Sequence, residues 1–153
     1  MGNTTYIVPS GGATLMDTDL NALAAGAVNV GTVMIDNTTN RYLYAEFELV
    51  LSAIDISAQT NPAVELYLVP SYDGTNYADA GTDASTTILP PCQYNVAVLG
   101  FAALAGSVAH IAVSPHIMLD HIKYKPVVIN KMTVALPATL NTLKVSYYTP
   151  TTA

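Results

Sequence analysis

Residues 41–52, RYLYAEFELVLS, constrain the fold more than any other part of the chain. Leu43, Ala45, Phe47, Leu49 and Leu51 share one parity, and Tyr42, Tyr44, Glu46, Glu48 and Val50 share the other. Successive side chains of an extended strand point to opposite faces, so this order of residues makes a β-strand with one dry face and one wetter face. Such a strand is not stable alone. It needs neighbours in a sheet, and the dry face of the sheet needs a second layer.

Shorter pieces repeat the pattern. Val64, Leu66 and Leu68 alternate with Glu65, Tyr67 and Val69, opened by Asn61-Pro62 and closed by Pro70. Further strand candidates lie at 33–35, 88–89, 94–104, 108–113, 116–119, 127–129, 132–136 and 143–148. Turn-forming residues separate them, among them 36–40 (DNTTN), Asp73-Gly74 and Asn141-Thr142. The best helix candidate is 18–27, where Thr18 would cap and Leu20, Leu23 and Ala24 would pack. The fold expected is all-β: one domain over 1–153, an antiparallel β-sandwich or jelly roll of about eight strands. Residues 1–30, small, polar and glycine-bearing, read as an arm or extended lead-in rather than core.

Composition then limits what covers such a sandwich. Of 153 residues, 51% are hydrophobic and only 10% charged, against about 25% in ordinary domains. A monomer of 16.1 kDa should expose about 7,400 Å². Sixteen charges are a thin coat for that area, so Thr, Asn and Tyr, partner subunits or a membrane must do the rest. Disorder is excluded by the hydrophobicity. The net charge of -6 and the scatter of Arg41, Lys123, Lys125, Lys131 and Lys144 speak against nucleic acid.

The stretch 96–113, VAVLGFAALAGSVAHIAV, has the length of a membrane span, but it lacks flanking anchors, and Gly106-Ser107 can turn it into two buried strands. No membrane partner is expected. The start, MGNTTY, has neither the basic nor the apolar run of a signal peptide, and Tyr6 breaks the myristoylation pattern. The single cysteine, Cys92, suits a reducing cytoplasm and reads as a small buried hydrophobe.

Constellations for chemistry are weak. His110, His116 and His121 are spaced too widely, and interrupted by Pro115, for a zinc motif. Asp73, Asn76, Asp79 and Asp83 cluster in one loop without the order of a calcium loop; their neighbouring glycines point to turn geometry. Glu46 and Glu48 share a strand face, as a glycosidase pair would, but two glutamates there are ordinarily the solvated side of a sheet. No phosphate loop, dinucleotide fingerprint, nucleophile elbow or zinc-protease motif occurs. No enzyme activity, cofactor or metal is expected. The ten tyrosines say more, because an amphipathic ring suits partly buried contact with protein or sugar. The interaction surface expected from them consists of Tyr42 and Tyr44 on the outward strand face, with Tyr72, Asp73, Asn76 and Tyr77 around the loop.

Two segments, YLVPSYDGTNYAD at 67–79 and NTLKVSYYTP at 141–150, resemble a strand–turn unit and a C-terminal strand of small tailed-phage virion proteins, some of which are head decoration (cement) proteins. The similarity covers about the C-terminal two-thirds. It departs where those chains carry a Pro-Pro-Gly turn and this one has His121-Ile122-Lys123-Tyr124-Lys125. The resemblance implies a β-sandwich structural protein made in the host cytoplasm and assembled on the capsid exterior. Its partners would be the major capsid protein and copies of itself, as a homotrimer. The alternative is a tail or fibre module that binds host carbohydrate.

Overall fold

The computed structural model describes residues 4–7, 12–78 and 89–152. Eleven strand segments run through them: β1 (Thr4–Ile7), β2 (Ala13–Met16), β3 (Val28–Val30), β4 (Ile35–Asp36), β5 (Tyr44–Ile54), β6 (Ala63–Ser71), β7 (Asn95–Gly100), β8 (Val108–Val113), β9 (Ile117–Met118), β10 (Lys123–Asn130) and β11 (Thr142–Thr152). All pairings are antiparallel. The first sheet runs β1-β11-β5-β8, with β2 also on β11 and β9 also on β5; the second runs β3-β10-β6-β7, with β4 also on β10.

Three neighbouring pairs, β1/β2, β3/β4 and β8/β9, each lie along one partner strand and so count as single strand positions. Eight positions result, in the orders 1-8-3-6 and 2-7-4-5. That is the jelly roll: a long hairpin whose pairs 1–8, 2–7, 3–6 and 4–5 are rolled into two facing sheets. The expected all-β sandwich is therefore present.

The core lies between the sheets. Ala45, Phe47, Leu49 and Leu51 of β5 and Leu143 and Val145 of β11 face Val64, Leu66 and Leu68 of β6, Ala97 and Leu99 of β7 and Tyr124 and Val128 of β10. A second, smaller cluster covers the outer face of the second sheet: Val28, Val30, Tyr67, Val69, Val127 and Ile129, with Tyr77, Ala78 and Tyr94 packed on it. Strands β6 and β10 are thus buried on both sides, which is why their order of residues departs from simple alternation.

Residues 13–30 are not a bare lead-in. Leu15, Met16, Leu20 and Leu23 are buried in the main core, β2 pairs with β11, and β3 pairs with β10. Glycines and small residues here are turn points between apolar anchors. The 18–27 helix does not form either. A single 3-10 turn spans Thr18–Leu20, capped by Asp17 rather than Thr18, and Ala22 (φ 55°) and Gly26 (φ 71°) take left-handed conformations that a helix cannot continue through. Leu20 and Leu23 pack as expected; Ala24 is exposed.

Several boundaries also move. Strand β6 runs past Pro70 to Ser71, because its flank toward β7 is already open there and no ladder donor is lost. Strand β10 begins at Lys123 and contains Pro126; the neighbouring position is interrupted opposite it, where Gly31 donates its N–H to the Pro126 carbonyl at 2.8 Å. A Cβ on Gly31 would lie 2.7 Å from the proline ring, so only glycine permits the approach. Residues 132–136 form no strand, although Met132 and Leu136 are buried. Leu89 lies outside any strand, and its expected partner residue 88 is outside the described residues. The apolar stretch 96–113 becomes β7, a loop and β8; among the described residues no helix is long and apolar enough to cross a membrane.

Three buried asparagines tie the loops to this frame. Asn130 donates from Nδ2 to the carbonyls of Leu23 (3.0 Å), Ala24 (3.2 Å) and Val134 (2.8 Å), and its Oδ1 accepts from the Met132 amide (3.0 Å). Asn141 reaches the Pro137 carbonyl (2.7 Å) and Asn21 (3.0 Å), and accepts from the Ser52 amide (3.2 Å). Asn37 brackets Tyr42 through its amide and carbonyl (2.8 and 2.9 Å) and reaches the Asp120 carbonyl (2.9 Å). Among the described residues no buried side-chain nitrogen or oxygen lacks a partner. An orphaned buried carbonyl or amide costs about 1–3 kcal/mol. Asn130→Ala, which strands several at once, is expected to lower unfolding stability by about 3 kcal/mol in urea titration, well beyond the about 0.5 kcal/mol of an ordinary surface change.

Candidate functional site

The six residues singled out by sequence fall in separate places. Tyr42 lies half-buried just before β5, its ring stacked on Tyr147 at 4.8 Å and 12°. Tyr44 opens β5 on the outer face of the first sheet, where the ladder sets it between Tyr148 of β11 and Met118 of β9. Tyr72 stands 86% exposed at the end of β6. Asp73 and Asn76 are turned onto one another, and Tyr77 folds back over the second sheet.

The loop chemistry is internal. Asp73 accepts from the amides of Thr75 and Asn76 (both 2.8 Å), from the Asn76 side chain (2.6 Å) and from the Ser71 hydroxyl (3.1 Å). The Asn76 and Thr75 amides hold its carboxyl well below the usual carboxylate range. Both oxygens are engaged in closing the turn, and Gly74 (φ 78°) packs against the Lys123 chain. Asp79 and Asp83, the other two oxygens of the cation reading, are outside the described residues. Tyr77 directs its hydroxyl to the Met34 sulfur (2.9 Å) and its ring under Lys125 Nζ, 4.7 Å away. It acts as a cover for the outer apolar cluster.

A different group gathers around Tyr44. Glu46 Oε2 accepts from the Tyr148 hydroxyl (2.9 Å) and lies 3.2 Å from His116 Nε2, and the His116 ring is 4.9 Å from that of Tyr148. Burial, and then the bond to Glu46, push the Tyr148 phenol up. An open, polar cleft of about 210 Å³ adjoins them, lined by Gly12, Glu46, Glu48, Lys144, Ser146 and Tyr148. Sequence reasoning placed Glu46 and Glu48 on this face but missed Tyr148 and His116, which only the β5–β11 and β5–β9 registers bring alongside.

Tyr72 belongs to a second cleft, of about 260 Å³, at the mouth of the sandwich. Pro70, Gln93, Tyr94, Asp120 and Tyr124 line it with Tyr72. The Tyr124 hydroxyl accepts from the Asp120 amide (2.8 Å), leaving its own proton directed to other acceptors. The open Tyr72 ring, the half-buried Tyr94 ring, the buried Tyr124 phenol and side-chain amide and carboxylate groups make a surface suited to polar, ring-shaped ligands.

The histidines do not converge. His110 points inward, buried, with Nε2 3.2 Å from the Ile54 carbonyl and its ring edge-on to Phe101; His116 points outward to Glu46; His121 is exposed. Among the described residues no three His, Cys, Asp or Glu side chains come together as metal ligands do. Cys92 is exposed, contrary to the small-hydrophobe reading, because Pro90-Pro91 lead it into a surface 3-10 turn at Cys92–Tyr94. No protein-family model matches the chain, and no curated protein matches it.

Tyr147 offers a pH signature of the aromatic stack. Burial, and then the neighbouring Tyr42, push its phenol up to about 12. Because the folded value lies above the ordinary 10, the contribution to stability is complete below pH 10 and is lost between pH 10 and 12. Absorbance titration of tyrosinate is expected to show a last ionisation near pH 12, absent in Tyr147→Phe; a complete titration centred near 10 in the folded protein would contradict the stacked geometry.

Proposed function

We propose that the chain is a non-enzymatic structural protein of a tailed-phage virion. In this reading it is a head decoration (cement) protein on the capsid exterior, held to the major capsid protein and to copies of itself. The observation that carries the reading is the surface. Sixteen charges are spread over 7993 Å², about one per 500 Å². Val98, Leu104, Ile111, Val113 and Met118 stand open to solvent. A domain that works alone in water seldom leaves so many large apolar side chains uncovered by charge.

The resemblance of 67–79 and 141–150 to phage virion proteins supports the same reading. So does the jelly-roll order, an architecture that viral shell proteins share with lectins and cupins; by itself the fold does not decide among those roles. The mechanism is binding alone. Each apolar square ångström covered at a boundary between subunits contributes about 25 cal/mol, and the acidic balance suits an outer shell better than a surface lining DNA. Within the chain, Thr4–Ile7 pairs with the C-terminal strand.

Mass spectrometry of fractionated virions is expected to find the chain with the heads, in fixed ratio to the major capsid protein. Adding it to heads that lack it should raise their disruption temperature. Recovery only with tails or fibres, or no effect on heads, overturns the proposal.

A second reading, host carbohydrate recognition from a tail or fibre, is favoured by the cleft beneath Tyr72. It moves the expected site from Asp73, Asn76 and Tyr77 to Tyr94, Gln93, Asp120 and Tyr124. On this reading a glycan array shows binding that Tyr72→Ala and Tyr94→Ala each weaken by about tenfold. An array without signal for the intact protein removes it.

A further inference from the structure

The outermost strands on one side of the sandwich are β7 and β8. Among the described residues β8 pairs only with β5, and β7 only with β6, so each is the outermost strand of its sheet, and both lie at the same flank. On β8 the Ser114 amide bonds the Phe47 carbonyl at 2.8 Å, which fixes the alternation. Residues of even number turn their backbone groups to β5. Ala109, Ile111 and Val113 turn their N–H and C=O groups to the open side.

Natural sheets protect such edges with charge, proline, bulges or a covering loop. Charge and proline are absent from these two strands; the one such device is a bulge in β7, where Ala97 and Asn95 oppose the consecutive Leu66 and Tyr67. The strands read NVAVLG and VAHIAV, with no charge and no proline. Their outward side chains are apolar and open, Ile111 at 64%, Val98 at 62% and Val113 at 51% exposure. The neutrality extends well beyond the strands: residues 84–119 contain no Asp, Glu, Lys or Arg, so all sixteen charges lie elsewhere in the chain.

We infer that this flank is where two copies of the chain meet, β8 pairing antiparallel with β8 of the second copy and β7 lying beside β7. The charge distribution selects the occupant. Two chains of net charge -6 repel one another less across strands that carry no charge themselves; the nearest carboxylates, Glu48 beside Val113 and Glu65 beside Val98, stand one strand in from the edge. An acidic or basic partner would find nothing to pair with there. Self-pairing of one strand across a twofold axis is antiparallel by symmetry, the arrangement β8 already adopts with β5. An axis normal to the sandwich passes through both sheets, so one operation extends each of them. The primary contact is therefore twofold, in place of the threefold arrangement expected from the resemblance. The inference rests on the edge geometry and holds whether or not the protein sits on a virion.

Sedimentation of the full chain is expected to show a monomer–dimer equilibrium. Ile111→Lys, which sets like charges on both sides of the axis, should raise the dissociation constant at least about tenfold while the β-type circular dichroism is unchanged. Val33→Lys, at an exposed apolar site away from the flank, should leave it unaltered. A readout free of substitution is hydrogen exchange of the unmodified chain: the Ile111 and Val113 amides should gain protection as protein concentration rises. A monomer at all concentrations, a trimer, or a dimer whose Ile111 and Val113 amides exchange as fast as in dilute solution overturns the inference.

Discussion

Everything else in this molecule depends on the closure of two sheets over the row Ala45, Phe47, Leu49 and Leu51. These side chains are fully buried, and β5 lies inside the first sheet, with β11 on one side and β8 and β9 on the other. Opposite them, β10 and β6 hold the corresponding centre of the second sheet. Because the chain is rolled as one long hairpin, its first and last strands must also meet, which joins β1 and β2 to β11 and brings Leu15 and Met16 into the core. Removing the β5 row would leave the second sheet without a partner face and the ends without a frame.

The loops depend on that frame through a small number of polar contacts. Much of the described chain lies outside strands, and its backbone groups must still find partners. Asn37, Asn130 and Asn141 meet the need because one carboxamide donates twice and accepts from inside a turn. Each stands next to a strand end, so the sheets position it and it positions the loop. The clefts on either side inherit their shape from this arrangement: Asn37 fixes Tyr42 beside the aromatic stack and, through the Asp120 carbonyl, the rim of the cleft that holds Tyr72 and Tyr94.

How much of this was legible depends on how many faces each element buries. Strand β5 was readable from Tyr44 to Leu51, since it has one dry face and one wet one, whereas Leu43, read on the dry face, precedes the strand and is exposed. Strand β10 was not readable. Buried on both faces, and opening with Lys-Tyr-Lys-Pro, it has the composition of a turn, and its strand character comes from pairing with β6 and from the break opposite Pro126. The buried role of Leu15 to Leu23 was hidden for a related reason: the apolar anchors are too few to set a period and are spaced by glycines and polar residues that shape turns. Among site residues, Tyr44 and Tyr72 were visible as tyrosines in suggestive contexts. Their true neighbours, Tyr148, His116, Tyr94 and Tyr124, are distant in sequence and meet them only through register. Asp73 and Asn76 had the composition of a ligand loop and the geometry of a closed turn. The thin coat of charge was plain from composition, but its concentration away from the β7–β8 flank becomes meaningful only when those strands prove to be edges.

On the proposed reading, a jelly roll whose outermost strands β7 and β8 carry no charge works as a member of an assembly, its edge strands covered by another copy. A crystal or cryo-electron microscopy structure of the protein in the assembly it forms tests that most directly. The expected result is β8 continued by β8 of a neighbouring copy, with Ile111 and Val113 bonded across the boundary; an assembly, or a concentrated monomer, in which β7 and β8 face solvent overturns the dimer.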